Sequence, residues 1–254
     1  MDVQSLPREA LFSLLLQIEP EEIKTVCFSK NKKVREICKS GHFQEVYKQK
    51  YRKVSFIWRK DLTENDFKTL VGSYSVNLAG SNVTNQDLKY LSGVHTINLE
   101  NTQVTNAGMK ILKGVHTINL AYTQVTDAGL KYLSGVFHID LTRTKVTDVG
   151  IEYLKGVSFI KLSKTQVTNE GMKSLKGVHT IYLSYTEVTD EGLKYLEGVH
   201  SIYLRDTKVT DDGMKYLSGV HTIDLSGTIV TDAGLKYLEG VHTIVLYGTK
   251  VTKQ

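Results

Sequence analysis

The sequence predicts an α/β solenoid, and three observations predict it. The heptapeptide Gly93-Val94-His95-Thr96-Ile97-Asn98-Leu99 returns as Gly114-Val115-His116-Thr117-Ile118-Asn119-Leu120, a step of 21 residues from 93 to 114. The same step lands on Gly72, Gly135, Gly156, Gly177, Gly198, Gly219 and Gly240. Inside each copy the apolar period changes from two (Ile97, Leu99), which is strand-like, to three (Leu130, Leu133) after a Thr126-Asp127 helix-capping pair. One strand and one short helix cannot bury their apolar sides alone, so the copies must stack.

The unit reads G-V-H-T-I-x-L-x-x-T-x-V-T-D-x-G-L-K-Y-L-S. Eight full units start between Gly72 and Gly219, a ninth begins at Gly240, and residues 51–71 hold a faded copy in which Leu62-Thr63, Phe67 and Leu70 stand one step before Val83-Thr84, Leu88 and Leu91. Stacking places the strands in a parallel inner sheet and the short helices outside. Thr102, Thr123, Thr144, Thr165, Thr186, Thr207, Thr228 and Thr249, with Ser81 at the start, form a hydroxyl column expected to bond the backbone of a neighbouring turn. Gly108, Gly129, Gly150, Gly171, Gly192, Gly213 and Gly234 lie early in each helix, where a small residue permits close packing; Asp87 breaks that column. With Val94, Ile97, Leu99, Thr102 and Val104 in its fixed places, the unit resembles the leucine-rich repeat, and Val125-Thr126-Asp127-Ala128-Gly129-Leu130 is similar to the subfamily with an ITDxGL-like segment. That resemblance spans residues 72–254 and implies a protein-binding scaffold that docks partners on its inner sheet.

Between the core positions, side chains point away from the core and line up in columns. Most rungs copy one another, but the His-Thr pair gives way to Phe137-His138 and Ser158-Phe159, where Arg143, Lys161 and Lys164 gather beside Tyr122, Tyr182, Tyr185 and Tyr203. Aromatic and arginine side chains anchor interfaces more often than others. A partner protein with an acidic group is therefore expected across the middle units, the alternative being drift on a solvated face.

The column His95, His116, His179, His200, His221, His242 admits a metal reading, yet a zinc site wants three or four tetrahedral ligands and no Cys, Asp or Glu accompanies it. A solvated column copied with the repeat is the simpler reading, and protonated neighbours should repel at low pH. Tyr90, Tyr132, Tyr153, Tyr195, Tyr216 and Tyr237 read as packing between outer helices. No nucleophile elbow, phosphate loop or paired-carboxylate arrangement appears outside the repeat register, so no enzyme activity, catalytic residue, cofactor or metal is expected. The +5 net charge belongs to residues 1–60, which carry thirteen Lys and Arg against seven Asp and Glu, whereas residues 61–254 carry nineteen against twenty. No basic stripe for nucleic acid follows the repeats, and no apolar run is long enough for a membrane span. The start Met1-Asp2-Val3-Gln4-Ser5 lacks an export pattern, so Cys27 and Cys38 are expected as thiols in a reducing, intracellular compartment, cytoplasmic or nuclear.

Residues 1–50 read as a small all-α unit. Pro7 and Pro20 suit helix starts, and Glu21 and Glu22 follow Pro20. Leu11, Leu14, Leu15 and Ile18 share one helix face; Ile23, Val26 and Cys27 line a second helix, Val34 and Ile37 a third, and Phe43, Val46 and Tyr47 a fourth. So small a unit gains stability from docking on the first repeats or on a partner. Leu6-Pro7-Arg8-Glu9, then Leu14-Leu15, Ile18 and Val26-Cys27, with Ile37-Cys38 and Phe43-Gln44-Glu45-Val46-Tyr47 beyond, resembles the F-box. Ala10 stands where a leucine is common, and the third helix lacks the usual tryptophan. The resemblance implies a substrate-recognition subunit of a Skp–cullin–F-box ubiquitin ligase, with Leu6, Pro7, Leu14, Leu15 and Ile18 touching a Skp-type adaptor and the repeats holding the target. The alternative is a scaffold or decoy without ubiquitin transfer. The last unit, Val241 to Leu246, is expected to offer an edge strand to a partner or a second copy.

Overall fold

This computed structural model describes residues 6–20, 22–28 and 31–252; Glu21 and both chain ends, on which some expectations fell, lie outside them. Ten short strands form one parallel sheet in sequence order. They are β1 (Lys53–Ser55), β2 (Ser75–Asn77), β3 (Thr96–Asn98), β4 (Thr117–Asn119), β5 (His138–Asp140), β6 (Phe159–Lys161), β7 (Thr180–Tyr182), β8 (Ser201–Tyr203), β9 (Thr222–Asp224) and β10 (Thr243–Val245). Each rung sits opposite its own copy, Thr117 beside Thr96 and His138 beside Thr117. The faded copy supplies a true tenth rung: Lys53 stands opposite Ser75, a step of 22, because its turn holds one extra residue around Trp58. On the far side runs a row of single-turn helices, from Asn106–Met109 to Asp232–Leu235.

The core is one column repeated. Val94, Ile97, Leu99, Val104, Met109 and Leu112 are buried, and so are their copies in later coils until the end of the solenoid, where Leu235, Val241, Ile244 and Leu246 are half-buried. Each fully buried aliphatic side chain contributes about 1.5–3 kcal/mol relative to exposure. Backbone polar groups leave their own coil for partners: Leu99 N donates to Asn119 O at 2.9 Å, and His116 N to His95 O at 3.0 Å.

The threonine column works differently from the expectation. Each hydroxyl donates within its own turn, three residues back: Thr102 to Leu99 O at 2.6 Å, Thr144 to Leu141 O at 2.7 Å, Thr207 to Leu204 O at 2.6 Å. The short side chain reaches no further.

Coils are joined instead by the first helical residue. Asp148 accepts from the backbone N–H of Thr168 at 2.8 Å and from its hydroxyl at 2.6 Å. Asp127 holds Thr147, Asp190 holds Thr210 and Asp211 holds Thr231 in the same way. Asn85, Asn106 and Asn169 take the backbone N–H with Oδ1 and give Nδ2 to the hydroxyl. This ladder explains the glycine column. A Cβ on Gly171 would lie 2.6 Å from Asp148 Oδ1, and one on Gly150 would lie 2.4 Å from Asp127 Oδ1. It also explains why Asp87 stands where glycine is usual. The coil before it offers Glu64 rather than Asp or Asn, so Thr84 is capped from within by Asp87, at 2.9 Å to N and 2.8 Å to Oγ1, and that segment (Asp87–Leu91) is a 3-10 helix.

The head is four helices, α1 (Arg8–Leu15), α2 (Ile23–Cys27), α3 (Lys32–Lys39) and α4 (Gly41–Lys50), around Leu11, Leu15, Val34, Ile37, Cys38 and Phe43. Pro20 precedes α2 in a turn rather than opening it. The expectation of free thiols is corrected: Cys27 and Cys38 form a disulfide that ties α2 to α3, with Cα atoms 5.7 Å apart. The head docks on the first rungs through Tyr51, whose ring meets Tyr74 at 4.7 Å and whose hydroxyl donates to Leu16 O at 3.0 Å, and through a Tyr74–Glu19 hydrogen bond.

Removing one rung of the Asp ladder leaves a Thr amide without its acceptor. Asp148→Ala should cost about 1–3 kcal/mol in urea unfolding. Gly171→Ala should cost a similar amount by overpacking, and much less when Asp148→Ala is already present, because the clash is with that carboxylate. Strict additivity of the two would contradict the ladder.

Candidate functional site

The open face of the sheet places the nine residues read as target-binding on adjacent rungs, all outside the core. Tyr122, Phe137, Arg143, Lys164 and Tyr185 are exposed, and Phe159, Lys161, Tyr182 and Tyr203 are half-buried. The strand alternation dictates this: Ile139, Ile160 and Ile181 turn inward at β5 to β7, so their neighbours turn out.

Two strips result. Along the strands, Phe159 meets Tyr182 at 5.7 Å, and Tyr182 stacks on Tyr203 at 3.9 Å with an interplanar angle of 5°. Lys161 lies 5.3 Å over the Tyr182 ring and pairs with Asp140 at 3.3 Å. Burial pushes the Tyr182 hydroxyl up to about 12, helped by its hydrogen bond with Tyr203 and by the negative charges of Tyr203 and Asp140, so it stays a neutral phenol throughout the physiological range. Asp140 was not singled out in the sequence; only pairing between rungs shows that it neutralises Lys161.

The second strip lies at the strand ends: Tyr122, Arg143, Lys164 and Tyr185. All four hold left-handed backbone, with φ of 58°, 57°, 58° and 59°. The same rung position is taken by Gly80, Gly227 and Gly248 nearer the ends of the solenoid, by Asn101 and Asp206 next to the four, and by Trp58 on the first coil. Left-handed backbone costs an L-residue roughly 1 kcal/mol relative to glycine. The guanidinium of Arg143 lies 5.3 Å over Tyr122, and the ammonium of Lys164 lies 4.4 Å over Tyr185. Such strain at four successive positions has no role in the turn, which glycine makes elsewhere in this chain. It marks the side chains as the reason.

The histidine column is split in two by Ser158. Tyr74, His95, His116 and Phe137 stack at 4.5–5.0 Å, then His179, His200, His221 and His242 at 4.5–4.6 Å. Each imidazole Nδ1 sits about 3.1 Å from its own rung's hydroxyl, as His116 does from Thr117 Oγ1 at 3.1 Å. Among the described residues no group of three or more His, Cys, Asp or Glu converges as a metal site would. Desolvation within the stack, with the charges of His179 and His221, holds His200 below the usual imidazole range; burial and His116 do the same for His138. Beside the first stack the face sinks into a depression of about 370 Å³ floored by Asn77, Asn98, Asn119, Asp140 and Phe159.

The adaptor residues fall apart into two groups. Leu14 is 48% exposed and Pro7 is exposed, whereas Leu15, at 3%, belongs to the head's own core; Leu6 and Ile18 are half-buried against that core. Leu15 is therefore corrected from a surface contact to a core residue. It packs inward because α1 turns its Leu11 and Leu15 edge, one helical turn apart, toward α3 and α4.

With this geometry in hand, comparison with solved structures decides the fold. An internalin (inlF) of Listeria monocytogenes superposes with a TM-score of 0.60 at 17% identity, covering 73% of this chain and 57% of that one. Internalin C2 of the same organism gives 0.59 at 21% identity, over 73% of this chain and 84% of that one. TLR13, solved as a complex with ssRNA13, gives 0.63 at 14% identity over 82% of this chain and 34% of that one. The fold is a leucine-rich-repeat solenoid. No family model matches the chain, and no curated protein matches it.

Two outcomes follow from the face of this solenoid. Arg143→Gly or Lys164→Gly should leave stability unchanged or raise it by up to about 1 kcal/mol in urea unfolding, since glycine relieves the left-handed strain but adds unfolded-state entropy; a loss above that figure would refute the strain argument. For the histidines, His200 and His138 bind protons less readily when folded than when unfolded. The unfolded chain then takes up more protons as pH falls below about 6.5, so stability is full above that value and declines through the window down to the lowered native values. Melting temperatures at pH 7.5 and 5.5 should show a smaller acid loss in His200→Ser than in the unaltered chain, serine being the residue found at rung 158.

Proposed function

We propose that the chain is a non-catalytic scaffold that holds a target protein on the open sheet face. The concentration of exposed aromatic rings and cations on the rungs from Tyr122 to Tyr203 carries this reading, because the surrounding rungs present repeated His, Thr and Asn. Ten rungs about 4.8 Å apart give a face over 40 Å long, enough for a standard protein interface. Positioning, not chemistry, is what such a face offers.

In its finer form the reading makes the chain the substrate-recognition subunit of a Skp–cullin–F-box ubiquitin ligase, working inside the cell in the cytoplasm or nucleus. The supports are the order Leu6-Pro7-Arg8-Glu9, Leu14-Leu15, Ile18 and the exposed apolar Leu14 and Phe28 on a head that already has its own core. A Skp-type adaptor would sit on Pro7 and Leu14, with Leu6 and Ile18 at the edge. A second reading, a scaffold or decoy without ubiquitin transfer, is favoured by one observation: the Cys27–Cys38 disulfide belongs to oxidising rather than reducing surroundings.

Binding of a purified Skp-type adaptor to the reduced chain separates the two. The ligase reading predicts a complex that survives size-exclusion chromatography and is lost in Leu14→Asp without change in melting temperature. Absence of any complex with folded, reduced chain leaves the scaffold without ubiquitin transfer. For the shared part of the reading, cross-links from a captured target should fall on rungs 117–203 and vanish in Tyr182→Ala with Tyr203→Ala; cross-links confined to the outer helices would overturn it.

A further inference from the structure

We infer that the strand-end strip Tyr122, Arg143, Lys164, Tyr185 is a docking site for an extended acidic peptide lying along the solenoid axis, with two carboxylates at its centre and apolar residues on either side. The inference rests on the scaffold reading and gives its partner a chemistry.

Charge is the first argument. Lys161 already faces Asp140, and Arg205 faces Asp206. Among the described residues neither Arg143 nor Lys164 forms an ion pair, and Lys145, also exposed, follows Arg143 two residues along the same coil. The neighbouring edge positions on these two rungs are Thr142, Ser163 and Gln166, all uncharged. Positive charge is thus concentrated on two adjacent rungs of a repeat region that is otherwise balanced.

Geometry is the second. The two tyrosines flank the two cations, each ring lying under the cation beside it. A cation held over a ring is already desolvated on one side and loses less freedom on meeting a carboxylate. Three rungs separate Tyr122 from Tyr185, about 14 Å, which is the span of about four residues of extended chain. Side chains of an extended chain alternate faces, so two carboxylates two residues apart meet Arg143 and Lys164, and apolar residues two positions further on either side reach the outer ring edges.

Backbone strain is the third. Glycine makes this turn at Gly80, Gly227 and Gly248. Four large side chains in left-handed backbone stand together here, at a local cost that the stacked coils sustain and that the turn itself does not require, which points to a use for the side chains. A single-stranded nucleic acid suits the strip less well, since it needs a continuous basic groove and ring faces free for stacking. Here the ring faces carry the cations, and Tyr182 and Tyr203 stack on each other.

The test is fluorescence anisotropy of the full chain with a fluorescein-labelled peptide, Leu-Gly-Glu-Gly-Glu-Gly-Leu between Gly-Ser spacers, against the same label on Leu-Gly-Gln-Gly-Gln-Gly-Leu and on an oligouridine of equal charge. The acidic peptide should bind about tenfold more tightly than the amide control, and Arg143→Gln with Lys164→Gln should remove that preference, as expected for two exposed ion pairs. Binding should weaken as salt rises. Equal affinity for the amide control, no effect of the double variant, no saturation by about 1 mM peptide, or tighter binding of the oligouridine would each overturn the strip. Should Tyr182→Ala abolish target capture while the double variant leaves it intact, the scaffold stands and only the acidic-peptide strip falls.

Discussion

No coil of this solenoid is complete in itself. Its strand N–H groups, its threonine amide and hydroxyl, and its apolar flank all find partners in the adjoining coils, 20 to 23 residues away for the hydrogen bonds. On the inner side the sheet satisfies the backbone; on the outer side the Asp and Asn ladder does so; between them lies the aliphatic column. Because three kinds of contact must be met at once, the repeat tolerates little variation in length. The first coil shows the limit: it absorbs one additional residue in the turn around Trp58, and there the indole covers Gly80.

That constraint is what makes a binding face out of a repeat. Once the register is locked, every position becomes a column, and a substitution at one rung lies beside its neighbours without disturbing the core. Phe159, Tyr182 and Tyr203 meet this way although 23 residues separate the first pair and 21 the second. The same lock lets unfavourable backbone persist. Arg143 and Lys164 keep left-handed φ because the strand before and the buried threonine after them are fixed by adjoining coils. Stability gained by stacking is thereby available to hold side chains in positions the local chain would not choose.

The fold was legible because its signal is long-range and redundant: Gly93 to Leu99 returning at Gly114 to Leu120 leaves few alternatives. The exposed rungs, including Tyr122, Arg143 and Lys164, were legible from alternation alone. What was hidden needed three dimensions. The hydroxyl of Thr102 turned to its own coil, to Leu99 O three residues back, which spacing along the repeat does not announce. The glycine column had a partner, the Asp or Asn one coil earlier, whose distance of 23 residues (Gly171 from Asp148) is no motif spacing. Left-handed backbone at Tyr122 to Tyr185 could have been suspected from Gly80 and Gly227 in the same column. In the head, helical periodicity gave four helices but not their rotation, so Leu15 was assigned outward when it lies inward. Spacing also said nothing of whether Cys27 and Cys38 meet, since that depends on how α2 and α3 pack.

Amide hydrogen exchange on the free chain, resolved residue by residue, tests the coil-to-coil account most directly. The backbone N–H groups of Thr147, Thr168, Thr189, Thr210 and Thr231 lie in loops outside the sheet, yet each is held by the coil before it. They should be protected about as strongly as the strand amides, and Asp148→Ala should release Thr168 first. Exchange of these amides at the rate of ordinary exposed loops would show that the coils are not locked to one another, and the face built on that register would lose its basis.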